Sequence, residues 1–356
     1  MTSTLQREFC TTHEAAVILK VTPQHVSREC KRGRWNAQKF GSEYAIPRQA
    51  IEQKPWREHN PDDLARYFRS ALRLYIGRND YQLRILGILA SGDEASKVYA
   101  QYLVNACDEV GIALDLRELT PAEAKKAVTK ANAAAEVQGI FVFYPIFGDD
   151  RDSELKAAVV PHKDVEGLSP YWISKLYDDV RYIDALKTKK AILPCTPLAV
   201  LKTLEYVGLA PDVDAQQSFR GKKVTIFNRS ELVGKPLAHM LANDGAEVFS
   251  FDLEGGVRLR KGHKPAAVTR AEALRQSDMV VTGVPSRAFE RVRGSEIKEK
   301  ATCLNFSFVQ NMEDSAKIKA GVYVPRVGPM TIAMCLRNTV RLYENHKDAY
   351  RAGKVA

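Results

Sequence analysis

The sequence predicts an α/β protein built on parallel sheets, because apolar strands alternate with amphipathic helices on both sides of residue 200. Three short apolar runs have the composition of buried strands: 83–89, 139–144 and 224–227. Apolar residues at helical spacing predict three long helices, at 61–75, 93–110 and 330–343. A chain of 356 residues is long enough for two or three domains.

The composition is that of a soluble globular protein, with 45% hydrophobic and 27% charged residues. The longest apolar runs fall well short of the ~20 residues that span a bilayer, and no signal peptide is visible. Six cysteines are scattered without a CxxC pair, which favours reduced thiols in the cytoplasm. No Cys/His cluster has the spacing of metal ligands, so we expect no metal.

The stretch from Lys223 to Asp252 has the pattern strand, tight turn, helix, strand, with Pro236 in the first helical turn and Gly245 after the last. A helix that begins just after a parallel strand directs free N–H groups at the crevice, where a pyrophosphate fits. Asp252 is placed to accept hydrogen bonds from the adenine ribose and would repel a 2′-phosphate, which favours NAD over NADP. Because GxGxxG is absent, an ordinary strand–helix–strand unit with a solvated aspartate remains an alternative.

Five motifs occur in order along the chain: Lys163-Asp-Val-Glu-Gly167, Pro194-Cys-Thr-Pro197, Arg229-Ser-x-x-Val-Gly-x-Pro236, Thr282-Gly-Val-Pro285 and Val327-Gly-Pro-Met-Thr331. Together they resemble the methylenetetrahydrofolate dehydrogenase/cyclohydrolase family. The residues in and around these motifs are most similar to the monofunctional NAD-dependent branch known from yeasts, as in Tyr144-Pro-Ile-Phe147 and Ala242-Asn-Asp-Gly245.

The resemblance implies a two-domain enzyme that oxidises 5,10-methylenetetrahydrofolate to 5,10-methenyltetrahydrofolate with NAD, as a homodimer. A folate-binding catalytic α/β domain would comprise residues 59–198 and 326–350, and a Rossmann-like parallel-sheet NAD domain residues 199–325. The cofactor contacts that it implies are Asn228, Arg229, Ser230, Val233, Gly234, Asp252, Gly283, Val284 and Pro285.

On the substrate side, the resemblance gives Tyr99 a catalytic position against the pterin ring and makes Glu166 the pterin anchor. A carboxylate can accept two N–H bonds from a 2-amino-pyrimidinone edge and rejects analogues that lack them. The other implied substrate contacts are Leu103, Phe143, Tyr144, Val327, Gly328 and Pro329. Simpler alternatives are a core aromatic for Tyr99 and a turn carboxylate paired with Lys163 or Arg151 for Glu166.

The sequence departs from the bifunctional family at two positions. The family has Tyr-x-x-x-Lys, whose two side chains share a helix face, but Leu103 stands four residues after Tyr99. Phe143 stands where the family has a glutamine. Because neither can activate a water, we expect cyclohydrolase activity to be absent or very weak. Hydride transfer mainly needs the methylene carbon held against the nicotinamide, so it does not require the lysine.

Residues 1–54 lie outside this resemblance and predict a small winged helix-turn-helix. A capping box at Thr11 and Glu14 begins a helix over 12–20, and a second helix is expected over 23–31, ended by Gly33. Alternation over 35–46, with a turn at 41–42, predicts a β-wing. The pattern resembles excisionase and MerR-type DNA-binding domains. A linker is expected at 52–61.

Residues 1–57 carry ten Lys and Arg against five Glu, an excess that raises affinity for polyanions. The candidate DNA-contacting residues are Gln24, His25, Arg28, Lys31 and Arg34. The alternative is a degenerate module retained for packing, oligomerisation or partner binding. For the whole chain, the competing function is a DNA-binding regulator that senses folate or the NAD redox state through an enzyme-like body.

Overall fold

The computed structural model describes residues 9–19, 22–31, 37–40, 43–47, 57–58, 60–90, 94–208 and 218–352. These residues form two main sheets and a small N-terminal sheet, and the parallel pairing of the main sheets confirms the predicted α/β class. Gly33, Arg34 and the predicted wing turn at 41–42 lie outside the described residues. Within the described ranges, no helix is both long and apolar enough to cross a bilayer.

The N-terminal residues form two helices and a three-stranded antiparallel sheet. The elements are β1 (Phe9–Cys10), α1 (Thr12–Leu19), α2 (Pro23–Lys31), β2 (Gln38–Phe40) and β3 (Glu43–Pro47). The strand order is β1-β3-β2. The capping box forms, since Thr11 and Glu14 exchange bonds of 2.8 and 3.2 Å between side chains and backbone N–H groups. A small core of Cys10, Ala15, Ala16, Val26, Cys30, Tyr44 and Ile46 holds these elements together.

The expected linker at 52–61 contains a strand, β4 (Arg57–Glu58), which pairs in parallel with an edge strand at 322–324 of the large sheet. Any extended segment can use the free N–H and C=O groups of a sheet edge, because that pairing needs no apolar pattern. This explains why the sequence showed only a linker here. The strand therefore extends the large sheet at its 322–324 edge.

The next part of the chain forms a three-stranded parallel sheet with helices packed on it. Its elements are α3 (Pro61–Asn79), β5 (Arg84–Leu89), α4 (Glu94–Val110), β6 (Ala113–Glu118), α5 (Pro121–Ala133), β7 (Gly139–Val142), α6 (Arg151–Ala158) and α7 (Pro170–Tyr177). The strand order is β6-β5-β7. The central strand β5 is buried after its first residue, as expected for a strand with a neighbour on each side and helices packed on the sheet.

The second part forms a larger sheet, followed by a long C-terminal helix. Its elements are α8 (Cys195–Gly208), β8 (Lys223–Phe227), α9 (Gly234–Asn243), β9 (Glu247–Asp252), β10 (Gly255–Leu259), β11 (Ala266–Val268), α10 (Arg270–Gln276), β12 (Met279–Thr282), β13 (Thr302–Asn305), α11 (Asp314–Lys319), β14 (Val322–Val324) and α12 (Gly328–Arg351). The strand order is β11-β10-β9-β8-β12-β13-β14-β4. The hairpin β10–β11 adds antiparallel strands to an otherwise parallel sheet, which the sequence pattern did not predict.

The C-terminal helix α12 packs against α3, α4 and α8 and so returns to the first sheet. It continues eight residues beyond the predicted end at Tyr343, because polar residues there also find buried partners. Asn345, for example, is buried and donates to the Lys190 carbonyl at 2.9 Å. The predicted apolar spacing stops where this polar packing begins.

Lys163 is fully buried, and its ammonium group closes the C-terminus of α5. Nζ donates to the carbonyls of Ala131, Asn132 and Ala134 at 2.9, 2.8 and 2.7 Å. A cation at a helix C-terminus meets the negative end of the dipole and satisfies carbonyls that have no partner in the helix. Burial lowers the pKa of Lys163, and these three acceptors favour its charged form.

Replacing Lys163 with methionine is expected to destabilise the protein by about 3 kcal/mol, since three buried carbonyls lose a charged donor. Urea unfolding of the full chain measures the effect. Lys126→Met, an exposed position on the same helix α5, is the control and should change stability by less than about 0.5 kcal/mol. Equal stability of Lys163→Met and wild type would contradict the assigned role.

Candidate functional site

A cleft of about 400 Å³ lies between the two main sheets and is lined from both sides. Residues from distant parts of the sequence meet there: Tyr99, Phe143, Tyr144, Glu166, Val233, Val327 and Gly328 were all predicted site residues. The volume suits a small molecule or part of a cofactor. Another wall of the cleft is formed by Pro194 to Pro197, in the segment that connects the first sheet to the second.

Glu166 reaches the cleft from a tightly hydrogen-bonded turn. Asp164 accepts the N–H groups of Gly167 and Ser169 at 2.9 and 2.7 Å. Gly167 has φ +69°, and a Cβ there would lie 2.9 Å from the Leu193 backbone, so only glycine fits. The backbone before and after Glu166 is therefore fixed, which sets the direction in which its side chain leaves the turn.

The Glu166 carboxylate is half-buried and only partly satisfied. One oxygen, Oε2, accepts the N–H of Val142 at 2.9 Å, and the other accepts no hydrogen bond from the described residues. Burial raises its pKa well above the usual value, Asp164 raises it further, and the Val142 N–H opposes the shift. A ligand that donates N–H groups would stabilise the ionised form. The alternative pairings are not observed, because Lys163 binds carbonyls and Arg151 pairs with Asp149.

Tyr99 on α4 belongs to an aromatic cluster at the wall of the cleft. Its ring meets Phe143 edge-on at 6.0 Å and Phe141 at 6.4 Å, while Phe141 and Phe143 are 4.8 Å apart. Burial raises the pKa of Tyr99 well above its ordinary value, so the hydroxyl is neutral. The side chain offers a flat apolar surface rather than a base.

Tyr144 lines the cleft with a buried hydroxyl that has no partner among the described residues. Burial and the nearby Glu166 raise its pKa. The Lys156 ammonium lies 5.2 Å from the ring centroid. A buried hydroxyl without a hydrogen-bond partner destabilises the folded protein unless a ligand or water bonds to it. This hydroxyl is therefore available to a bound molecule.

Two predicted substrate contacts do not line the cleft. Leu103 is fully buried in the hydrophobic core, because an apolar side chain one turn beyond Tyr99 packs inward instead of extending as a lysine would. Pro329, in the first turn of α12, is also absent from the lining, although Val327, Gly328 and Thr331 border it. Phe306 borders the cleft but was missed by the sequence analysis, because it lies outside the motifs.

The turn between β8 and α9 depends on Asn228. Its side-chain oxygen accepts the N–H and hydroxyl of Ser230 at 3.0 and 2.7 Å, and its nitrogen donates to the Gly283 carbonyl at 2.8 Å. A Cβ on Gly234 would lie 1.8 Å from the Asn228 carbonyl oxygen, so glycine is required where α9 begins. The N–H groups of Val233, Gly234 and Lys235 donate to Ser230 within this turn, at 3.3, 3.5 and 3.0 Å, so a pyrophosphate here would meet the positive end of the α9 dipole beside the Ser230 hydroxyl.

Gly283 and Val284, at the end of β12, are fixed by neighbours that the sequence did not indicate. A Cβ on Gly283 would lie 1.8 Å from the Phe306 ring, so the ring packs directly against the glycine. Asn311 accepts the N–H of Val284 at 2.8 Å and donates to its carbonyl at 3.0 Å. Pro285, which follows, is exposed.

Asp252, which we expect to accept hydrogen bonds from the adenine ribose, also has partners within the chain. Its Oδ2 pairs with Arg229 at 2.9 Å, and its Oδ1 accepts the N–H of Glu254 at 2.9 Å. The second Nη of Arg229 donates to the carbonyls of Ser250 and Gly255 at 3.0 and 2.6 Å. Arg229 and Asp252 therefore form one unit at the tip of β9, with charges that compensate each other.

The described N-terminal candidates lie on α2. Gln24, Arg28 and Lys31 are exposed and, at spacings of four and three residues, share a face of the helix; His25 is half-buried. In the described part of the chain, no group of three or more His, Cys, Asp or Glu could hold a metal ion.

Comparison with known proteins covers both main parts of the chain. Residues 62–166 match the model of the tetrahydrofolate dehydrogenase/cyclohydrolase catalytic domain, and residues 194–347 match the NAD(P)-binding domain of the same family. The methylenetetrahydrofolate dehydrogenase (NAD+) of Schizosaccharomyces pombe is 38% identical over 291 residues, 78% of this chain and 90% of that protein. The corresponding enzyme of Saccharomyces cerevisiae is 40% identical over 276 residues, 73% and 86% of the two chains.

A solved structure shows the same fold. The NAD-dependent 5,10-methylenetetrahydrofolate dehydrogenase from Saccharomyces cerevisiae superposes with a TM-score of 0.78 at 36% identity, covering 83% of this chain and 99% of that one. The chain belongs to the tetrahydrofolate dehydrogenase/cyclohydrolase family.

Proposed function

We propose that the protein oxidises 5,10-methylenetetrahydrofolate to 5,10-methenyltetrahydrofolate with NAD as the hydride acceptor. One observation carries the proposal: Glu166 and Tyr99 from the first part of the chain line the same cleft as Val233, which directly precedes α9. The Glu166 carboxylate, which suits a pterin edge, and the turn before α9, which suits a dinucleotide, thus face the same cleft. The named activities of the yeast relatives support this pairing of substrate and cofactor.

In this proposal, Glu166 accepts hydrogen bonds from the 2-amino-pyrimidinone edge of the pterin, and Tyr99 packs against its ring. The free carboxylate oxygen and the Val142 N–H that holds the other one fit this task. The Tyr144 hydroxyl supplies a further polar contact. NAD supplies the hydride acceptor, and the chain holds the methylene carbon in place and excludes water from it.

The cofactor residues divide by the part of NAD that they face. We assign the pyrophosphate to the start of α9 with Ser230 and Gly234, which Asn228 positions. The adenine ribose belongs to the Arg229–Asp252 unit, and the nicotinamide end to the Gly283–Pro285 turn. Each assignment rests on the position of the group at the carboxyl ends of parallel strands.

We also propose that cyclohydrolase activity is absent or very weak. The wall around Tyr99 consists of Phe141 and Phe143, and Leu103 is withdrawn into the core. Hydrolysis of the methenyl carbon needs a polar group that activates water, and this wall provides none. The methenyl product is then released rather than hydrolysed.

Residues 59–198 with 326–350 and residues 199–325 are our proposed domains, although the boundary at 198–199 falls inside α8. We propose a homodimer in the cytoplasm. The cytoplasmic location agrees with the six cysteines, all buried and unbridged.

Glu166→Gln is expected to lower kcat/KM for methylenetetrahydrofolate by about 100-fold or more, because the amide cannot accept two N–H bonds as a carboxylate does. The same variant should gain stability over wild type as pH rises. Since burial raises the folded-state pKa, wild-type stability falls as pH increases above the unfolded pKa of this carboxyl. Steady-state kinetics and thermal unfolding across pH measure both effects.

Glu118→Gln, an exposed carboxyl at the end of β6, is the matched control and should change neither property. Unchanged kcat/KM in Glu166→Gln would refute the pterin-anchor role.

Asp252→Ser is expected to shift the NADP/NAD ratio of kcat/KM toward NADP by about tenfold or more. It removes the carboxylate that would repel a 2′-phosphate and frees Arg229 to bind that phosphate. The ratio is measured with both cofactors under identical conditions. Glu254→Ser is the control, since Glu254 bonds to Asp252 through a backbone N–H that the substitution keeps. A ratio unchanged from wild type in Asp252→Ser would remove Asp252 as the selectivity residue.

A second proposal concerns the N-terminal residues: they form a winged helix-turn-helix that binds duplex DNA through α2. The exposed row of Gln24, Arg28 and Lys31 favours it, because one helix face can enter a major groove. His25 and Arg34 complete the proposed contact set.

We expect the full-length protein to bind a random-sequence duplex with salt-dependent affinity. The double variant Arg28→Ala/Lys31→Ala should reduce the slope of log K against log salt by about 2. Fluorescence anisotropy measures this, with Arg275→Ala, exposed on α10, as the control. Absence of binding at low salt would leave a role in packing or partner binding instead.

A further inference from the structure

A second cavity lies among the helices between the two main sheets. None of its lining residues borders the cleft described above. It has a volume of about 190 Å³ and is bounded by α7, residues 179–193, α8, α9 and α12. On α12 the cleft contacts Thr331, whereas this cavity contacts Arg337 and Arg341, which lie further along the helix. The two cavities therefore contact different turns of α12.

Cations outnumber carboxylates in the lining of this second cavity, six to three. All three carboxylates already have cationic partners. Asp244 pairs with Arg181 at 2.7 Å, and Glu205 pairs with Lys202 at 2.5 Å. Asp179 pairs with Arg181 at 3.0 Å and with Lys261, outside the lining, at 2.6 Å. The remaining cations thus have no carboxylate left to neutralise them within the lining.

Four lining cations have no carboxylate partner among the described residues: Lys175, Lys190, Arg337 and Arg341, of which the two arginines are neighbours on one helix. They are one turn apart on α12, both are half-buried, and neither forms a hydrogen bond or ion pair with a described residue. Burial and repulsion from Arg341 lower the pKa of Arg337 to about 10, and Glu205 attracts it only from beyond ion-pair distance. Burial likewise lowers the pKa of Arg341, and Glu344 opposes that shift from beyond ion-pair distance. Two half-buried guanidinium groups without a direct ion-pair partner leave positive charge in the cavity that a bound anion would balance.

We propose that this cavity binds a phosphate-type dianion, either free or as the phosphate group of an ester, through Arg337 and Arg341. Guanidinium groups match the oxygens of a tetrahedral oxyanion with paired N–H donors and bind it most strongly where water is excluded. Lys190, whose ammonium lies 5.9 Å from the Tyr182 ring centroid, adds a third positive charge to the lining.

The bound anion would connect α12 with the C-terminal end of α9, since Asn243 and Asp244 also line the cavity. The opposite end of α9 faces the proposed pyrophosphate site. The new site is therefore distinct from the proposed cofactor site, and its existence does not depend on turnover.

Thermal unfolding of the full-length protein tests the proposal, with inorganic phosphate titrated at constant ionic strength in chloride. Saturating NAD is present so that phosphate cannot act through the cofactor site. We expect the melting temperature of the wild type to rise with phosphate as ligand linkage requires. In Arg337→Met/Arg341→Met the apparent phosphate affinity should fall at least tenfold.

The double variant should also be at least as stable as wild type without phosphate, because two unpaired cations are removed. Arg78→Met, exposed on α3, is the control and should keep the wild-type response. Should the double variant fail to fold, Arg341→Gln alone carries the comparison. Glycerol 3-phosphate distinguishes the sources: an equal response indicates a site open to esters, and a response to inorganic phosphate alone indicates a site for the free ion.

Two results would overturn the proposal. One is the absence of a phosphate response in the wild type up to tens of millimolar. The other is an equal phosphate response in wild type and in the variant that lacks the guanidinium groups.

Discussion

The turn from Lys163 to Gly167 is the constraint on which the site depends, because it is bonded to four elements at once. Lys163 is tied to the end of α5, and Glu166 to the end of β7. The Glu166 carbonyl accepts the N–H of Cys195, the first residue of α8, at 3.1 Å. The Val165 carbonyl accepts the side chains of Cys195, at 3.2 Å, and of Asn338 on α12, at 3.0 Å. A shift of this turn would therefore move the Glu166 carboxylate together with helices α8 and α12.

This arrangement keeps two groups in the cleft at a cost in stability. The Glu166 carboxyl is desolvated with one oxygen free, and the Tyr144 hydroxyl has no partner among the described residues. Groups of this kind are tolerated where the surrounding structure is strongly determined, and a ligand that completes them gains selectivity. The buried bonds of Lys163 and Asp164 give the turn the rigidity that this requires.

Much of the fold was predictable, because strands and helices of the main sheets follow apolar spacing and turn chemistry in the sequence. The turn at Asn228 and the helix after it were recognisable for the same reason. Pairings between distant residues were not: Arg229 with Asp252, Phe306 on Gly283, and β4 at the edge of the large sheet. Each depends on where the sheet brings two segments together, which local patterns do not encode. Leu103 shows the same limit, since the family resemblance implied a substrate contact there but the leucine side chain packs into the core.

The central claim is that one cleft joins a folate anchor to an NAD site and lacks a group that hydrolyses the product. A steady-state assay of purified protein with methylenetetrahydrofolate tests it directly, following reduced nicotinamide and the methenyl product separately, with NAD and with NADP. We predict strong preference for NAD and methenyl product accumulating in equal amount to NADH. Absence of turnover with either cofactor in a folded protein, or methenyl product that is hydrolysed as fast as it forms, would contradict it.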